Sequence, residues 1–351
     1  MKKRSASLSF DALRRLQQTL MQRATKRDCE NIRSVGFSPG LSVVGNAYGI
    51  RAQFNVTRKL KRVLESRRIN PIESVRLLDR KTGRYRVLEL STQVRQVREV
   101  VPTGVTITTE VERATASLVV RWTTVRPVPA MPDAHQPDDP RWRWGLLTVS
   151  HLFVGRGGTD RRDRAKIRRV AVCGNGPQTI RSRVVIRGRI PGGPDVALVE
   201  TGWDRLWLSG FVREIGSPPL EIATAKDLRR WVSAGTSGEF VGDGVSFPWS
   251  WQTYYPSLSI PGLGRLEHIV AYKIASNQDA SKKPFGPGSS GGAITTEGLV
   301  TGLQVAAAPP RFDLGYAQTM DISFAWIGKQ LRASALEVVA VVGNAGRTSI
   351  A

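Results

Sequence analysis

Few residues of this chain could do chemistry. Only three histidines occur among 351 residues, His135, His151 and His268. His135 lies in the proline-rich stretch PVPAMPDAHQPDDP and His268 in the strand-like run RLEHIVAY, whereas His151 directly follows the apolar run GLLTVS. Downstream, Asp195 opens the apolar run DVALVE after a Gly-Gly-Pro turn, and GPGSSGGAI (286–294) then presents Ser290 among four glycines. A serine hydroxyl is a weak nucleophile. It needs a general base within hydrogen-bond reach, an acid to orient that base, and backbone N–H groups aimed at the developing oxyanion. Glycines beside the serine let the backbone turn sharply and approach a substrate. Each residue alone has an ordinary explanation: a structural histidine, an aspartate at a strand boundary, a Gly/Ser linker. A histidine, an aspartate and a glycine-flanked serine in that order favour a shaped turn around Ser290.

The surrounding elements are strands. From RWRWGLLTVSHLF onward, short β-branched runs such as IRRVAVCG, RSRVVIRGRI, DVALVE, LEHIVAYKIA and GLVTGLQVAA alternate with Gly and Pro turns. That pattern predicts an all-β sandwich or barrel. Upstream the character differs. Residues 8 to 30 predict a helix with Phe10, Leu13, Leu16, Leu20 and Met21 on one face and Arg14, Arg15 and Arg23 on the other, a pattern expected to dock on its own protein. Residues 36–114 predict a small α/β module, with strands in LSVVGNAYGIRAQF, ESVRLLDRKTGRYRVLEL and VVPTGVTITTEVE and a basic helix in TRKLKRVLESRR. The expected division is a basic helix in 1–35, the α/β module in 36–114, a β domain in 115–332 and a tail in 333–351.

LLTVSHLFVG, PDVALVE and GPGSSGGAI resemble the three motifs of trypsin-like, chymotrypsin-fold serine peptidases of bacterial type. The resemblance covers roughly 115–332 and implies two six-stranded antiparallel β-barrels with a site in the cleft between them. It implies Ser290 as nucleophile, His151 as general base and then acid, Asp195 as the group orienting the imidazole, and the N–H groups of Gly288 and Ser290 as the oxyanion hole. It further implies a specificity-pocket floor near Pro284 and Phe285, and Gln304, Val305 and Ala306 as a strand pairing with substrate backbone. No acid lies near that floor, so a small or apolar P1 is expected rather than Arg or Lys. Ser289 stands where the family's digestive members carry an acid, so activation by a new N-terminus is not expected. A second resemblance joins LSVVGNAYGIR, ESVRLLDRK and VVPTGVTITTEVE to the N-terminal segment of Nal1-type trypsin-like proteins, with Val101-Pro102-Thr103 as its Val-Pro-Thr element and a structural or regulatory role implied.

Composition adds bounds. The net charge is +23, from 52 Lys and Arg against 29 acids. Such a field could attract nucleic acid or an acidic partner, for instance through 156–169, although no nucleic-acid motif is present. Two distant cysteines, Cys29 and Cys173, argue against a disulfide framework and a zinc site, so no metal and no cofactor is expected. The N-terminal basic run lacks the apolar core of a secretory signal, and no run reaches the ~20 apolar residues of a membrane span. The expected setting is cytoplasmic, and the expected partner is a protein or peptide substrate. Two other functions remain on the sequence alone: an inactive protease-like binding module, and a basic protein localised on nucleic acid.

Overall fold

The structure is a computed structural model, and it describes residues 8–27, 31–40, 48–59, 68–78, 83–97, 101–102, 113–132, 139–153, 169–173, 179–208, 218–242, 245–274, 285, 288–309 and 312–349. The chain opens with α1 (Phe10–Arg27), close to the predicted span. Leu13, Leu16 and Leu20 are buried, as their helical spacing requires. Between them Gln17 is buried as well. Its amide satisfies two strand carbonyls, donating to Val35 and to Ser257 at 2.7 Å each. The basic face is tied to the protein: Arg14 meets Glu267 at 2.8 Å and Arg27 meets Glu73 at 2.6 Å. There follow β1 (Ile32–Pro39), β2 (Ile50–Val56), β3 (Ile72–Leu78), β4 (Tyr85–Gln96) and the short β5 (Val101–Pro102). They pair in the order β1-β2-β4-β3, with β2 and β4 parallel. The helix expected in TRKLKRVLESRR falls largely on residues 60–67, outside the described residues.

The first barrel is built from β6 (Arg113–Thr123), β7 (Arg143–Thr148), β8 (Arg169–Cys173), β9 (Thr179–Arg187), β10 (Ala197–Glu200) and β17 (Ala335–Ser349). They close in the order β10-β7-β6-β17-β8-β9. β17 covers most of the segment read from sequence as a tail after residue 332. It pairs with β6 from Ala335↔Thr123 to Ser349↔Arg113, and with β8. Its partner lies more than two hundred residues upstream, and a non-local pairing of that kind leaves no local signature. Arg121 on β6 faces Glu337 on β17 and donates to its carboxylate at 2.6 Å. The guanidinium is fully buried and lies 5.4 and 5.8 Å from the Trp142 and Trp144 rings. The unusual RWRW run is therefore part of a cage around a buried cation.

A short helix α2 (Trp203–Leu208) and α3 (Ala225–Ala234), whose start is closed by a Thr224/Asp227 capping box, lead into the second barrel. Its strands are β11 (Ser237–Gly242), β12 (Val245–Ile260), β13 (Gly264–Ile274), β14 (Ala293–Thr296), β15 (Leu299–Ala307) and β16 (Leu314–Thr319). The order is β11-β14-β15-β16-β13-β12, and a β11–β12 pairing completes the ring. β1 extends this sheet by pairing Phe37 with Tyr254 on β12. The helix α4 (Met320–Leu331) returns the chain to β17. The molecule is thus mostly β, with two six-stranded antiparallel rings and an N-terminal module. Leu118, Val120, Trp122 and Leu147 of the first barrel share one buried cluster with Ala293, Val300 and Leu303 of the second. That shared core fixes how the barrels meet. No helix among the described residues is long and apolar enough to cross a membrane.

Candidate active site

His151 stands just past the end of β7, in a 3₁₀ turn spanning Ser150–Phe153. Asp195 stands just before β10. The β10–β7 register, with Ala197 opposite Thr148, sets the two side by side. The carboxylate grips the histidine twice: Oδ1 accepts the backbone N–H of His151 at 2.9 Å, and Oδ2 lies 2.6 Å from Nδ1. With Nδ1–H donated to the carboxylate, Nε2 carries the lone pair. Both residues are buried, His151 at 3% exposure and Asp195 at 1%. A buried carboxylate needs such partners, and these supply them. Asp195 is itself held from the other barrel, since its N–H donates to Oε1 of Gln318 on β16 at 2.7 Å.

Ser290 sits in the turn that enters β14. Gly288 and Gly291 have φ of +98° and +89°, where side chains other than glycine are strained. A Cβ at Gly291 would come 2.0 Å from the carbonyl oxygen of Thr115. The turn is pinned by the first strand of the other barrel. Thr115 N–H donates to the Ser290 carbonyl at 2.6 Å, Thr115 Oγ1 to the Gly288 carbonyl at 2.7 Å, and Ser117 Oγ to the Gly291 carbonyl at 2.7 Å. Thr148, three residues before His151, locks the other side of this contact by donating to the Thr115 carbonyl at 2.7 Å. Ser290 Oγ donates to the Val305 carbonyl at 3.3 Å. Nε2 of His151 is buried and has no hydrogen-bond partner among the described residues. The histidine and aspartate are thus in contact, and the serine turn is fastened to the same barrel seam with its hydroxyl directed to β15.

The other predicted positions fall as follows. Gln304 does not lie on an open edge. Its N–H donates to Gly292 and its carbonyl accepts from Gly291, both at 2.8 Å, and its side chain bonds Tyr272 and the Ala306 carbonyl. It supports the serine turn from behind, because β15 passes under that turn. Val305 and Ala306 are next along β15, and Ala306 pairs with Pro102 of β5. Phe285 packs in the core edge-on to Phe240 and Tyr272. Pro284 and His135 lie outside the described residues, as does most of the arginine-rich stretch, residues 156–168. His268 bonds the Tyr254 hydroxyl at 2.7 Å and meets Phe10 edge-on, remote in role from the seam. Ser289 is buried, and its hydroxyl has no hydrogen-bond partner among the described residues. Sequence reasoning missed Gln318, Thr115, Ser117 and Thr148. The alternating hydroxyls of RATASLVV were visible, but nothing local said that they would face Ser290.

No family model and no curated protein matches the chain. Solved structures that match it include Thermobifida fusca Protease A, at 11% identity and a TM-score of 0.37, covering 69% of this chain and 100% of that one. The Rv3671c protease of M. tuberculosis in its active form matches at 16% identity and a TM-score of 0.33, covering 66% and 89%. Nocardiopsis protease matches at 14% identity and a TM-score of 0.34, covering 64% and 97%. These neighbours are chymotrypsin-fold serine proteases.

Proposed function

We propose that the chain is a serine endopeptidase using Ser290, His151 and Asp195. The observation that carries this reading is the Asp195–His151 pair, with Nε2 buried and unbonded, at the seam where a glycine turn presents Ser290. The mechanism requires the Ser290 hydroxyl to leave the Val305 carbonyl and donate to Nε2. Oγ then attacks the scissile carbonyl carbon as Nε2 takes the proton. The N–H groups of Gly288 and Ser290 bind the resulting oxyanion. As the C–N bond breaks, Nε2–H gives its proton to the leaving amine, and an acyl-enzyme remains. Water attacks the acyl carbon, Nε2 again takes and returns the proton, and the carboxylic acid departs. Asp195 keeps Nδ1 protonated throughout and stabilises the imidazolium, while Gln318 keeps Asp195 in place. Substrates are peptides, with a small or apolar P1 side chain, extended along β15.

The test is covalent labelling. A fluorophosphonate probe, given a prolonged incubation, should modify the purified full chain at Ser290 and leave Ser290→Ala unmodified. Absence of labelling in both would return the chain to the role of a protease-like binding module.

A further inference from the structure

β15 has two edges. One is covered by β16 as far as Ala307↔Gly315. The other is covered by β14 only up to Ala293↔Leu303, because the chain N-terminal of Ala293 leaves the sheet to form the serine turn. Residues 305–307 therefore have an edge that β14 does not reach, immediately beside Ser290. β5 takes that edge. Val101 pairs with Ala307 and Pro102 with Ala306, antiparallel. A proline has no N–H, so it fits a ladder without loss only at a non-hydrogen-bonded position. The donor–acceptor exchange then falls to Val101 and Ala307. In an antiparallel pairing, going from Val101 to Pro102 moves along β15 from Ala307 to Ala306 and so toward Val305, whose carbonyl receives the Ser290 hydroxyl. β5 thus runs up to the nucleophile in the direction an added peptide strand would take. In this arrangement Ser290 and His151 are 0% and 3% exposed.

We propose that Val101–Pro102 is a built-in substrate mimic: the N-terminal module threads its own backbone onto the edge of β15 beside Ser290 and so inhibits the site in cis. This rests on the protease reading above. The inhibitor is tethered, so its effective concentration is far above that of a dilute substrate. Among the described residues its pairing covers only Val101 and Pro102, a ladder short enough for a longer peptide strand to displace.

The test needs a change that acts through the backbone. Val101→Pro removes the N–H that pairs with Ala307, while Val101→Ala keeps it. The labelling rate of Ser290 by the fluorophosphonate is measured on the full chain, alongside hydrogen exchange at the Ala307 amide. Val101→Pro should be labelled about tenfold faster than wild type and exchange faster at Ala307, with Val101→Ala close to wild type. A synthetic peptide amide of residues 97–102, VREVVP, should slow labelling of Val101→Pro again. That re-inhibition shows that the variant is folded. Faster exchange with an unchanged labelling rate would overturn the inhibition and leave the protease intact. Unchanged exchange would show that the segment is not docked in solution and overturn the proposal directly. Labelling of no variant, even with Ala307 deprotected, would sink the protease reading and the inhibition with it.

Discussion

The backbone N–H of Thr115 donates to the carbonyl of Ser290 at 2.6 Å, and this bond joins the two barrels at the peptide of Ser290. The Thr115 hydroxyl adds a second tie, to Gly288. The oxyanion donors proposed at Gly288 and Ser290 are therefore aimed by a strand of the opposite barrel. Thr115→Val keeps the shape and the backbone bond but removes the hydroxyl. Loss of one buried hydrogen bond costs about 1–3 kcal/mol. A fall in kcat of roughly tenfold is expected with KM little changed, and Thr115→Ser should restore most of it. Steady-state kinetics on a peptide substrate reads this.

Gln318 is a positioning residue, since it reaches the imidazole only through Asp195. Gln318→Leu leaves the Asp195 N–H buried without its partner, and also frees the Glu267 carbonyl that Gln318 Nε2 meets at 3.1 Å. A loss in kcat of about ten- to a hundredfold is expected. A merely structural role would leave the His151–Asp195 bond untouched. The low-field proton resonance of Nδ1–H should instead move or broaden in this variant.

Glu337 is the anionic partner of the fully buried Arg121. Removing one member of a buried pair strands the other charge, at about 3–5 kcal/mol. Glu337 is itself 23% exposed, which places the expected loss at the lower end of that range. Glu337→Ala should lower the denaturation midpoint clearly. Arg121→Met together with Glu337→Leu should cost less than Glu337→Ala alone, because no uncompensated charge is left. Equal losses would show that packing, not charge, governs the β6–β17 seam.

His268 gives stability a pH dependence. Burial pushes its pKa below the ordinary histidine value, outweighing the favourable fields of Asp321 and Glu267, while Arg14 also lowers it. The folded state therefore holds the imidazole neutral, bonded to Tyr254 and packed on Phe10. As pH falls through the unfolded value near ~6.5, the unfolded chain takes up a proton first. The His268 contribution is thus complete above that pH and declines below it, until the folded protein is protonated too. His268 has φ of +54°, which asparagine tolerates. His268→Asn should flatten the stability profile below about pH 6.5, as read by urea unfolding at a series of pH values.

Much of the candidate site was legible before any fold was known. His151, Asp195 and the glycines around Ser290 announce themselves because a turn with positive φ and an acid–base pair demand particular residue types at particular places. The strand class was legible too, since runs such as ALVE and LVTGLQVAA carry both the β-branched content and the apolar continuity of strands buried on both faces. The N-terminal helix followed from its spacing. What the local pattern could not carry were pairings between distant segments. β17 closes the first barrel only because β6 offers it an edge, and Gln318 matters only because β16 ends beside Asp195. Gln304 reads as part of a substrate edge by its place in the chain, yet its backbone is taken up by Gly291 and Gly292, and the edge that β14 leaves begins only past it. The same long-range geometry set Val101–Pro102 against Ala306–Ala307. Residue type and spacing specify which chemical groups exist and which turns can hold them. Closure of the sheets decides which groups meet, because a strand's partner is chosen by the global arrangement of edges rather than by its own residues.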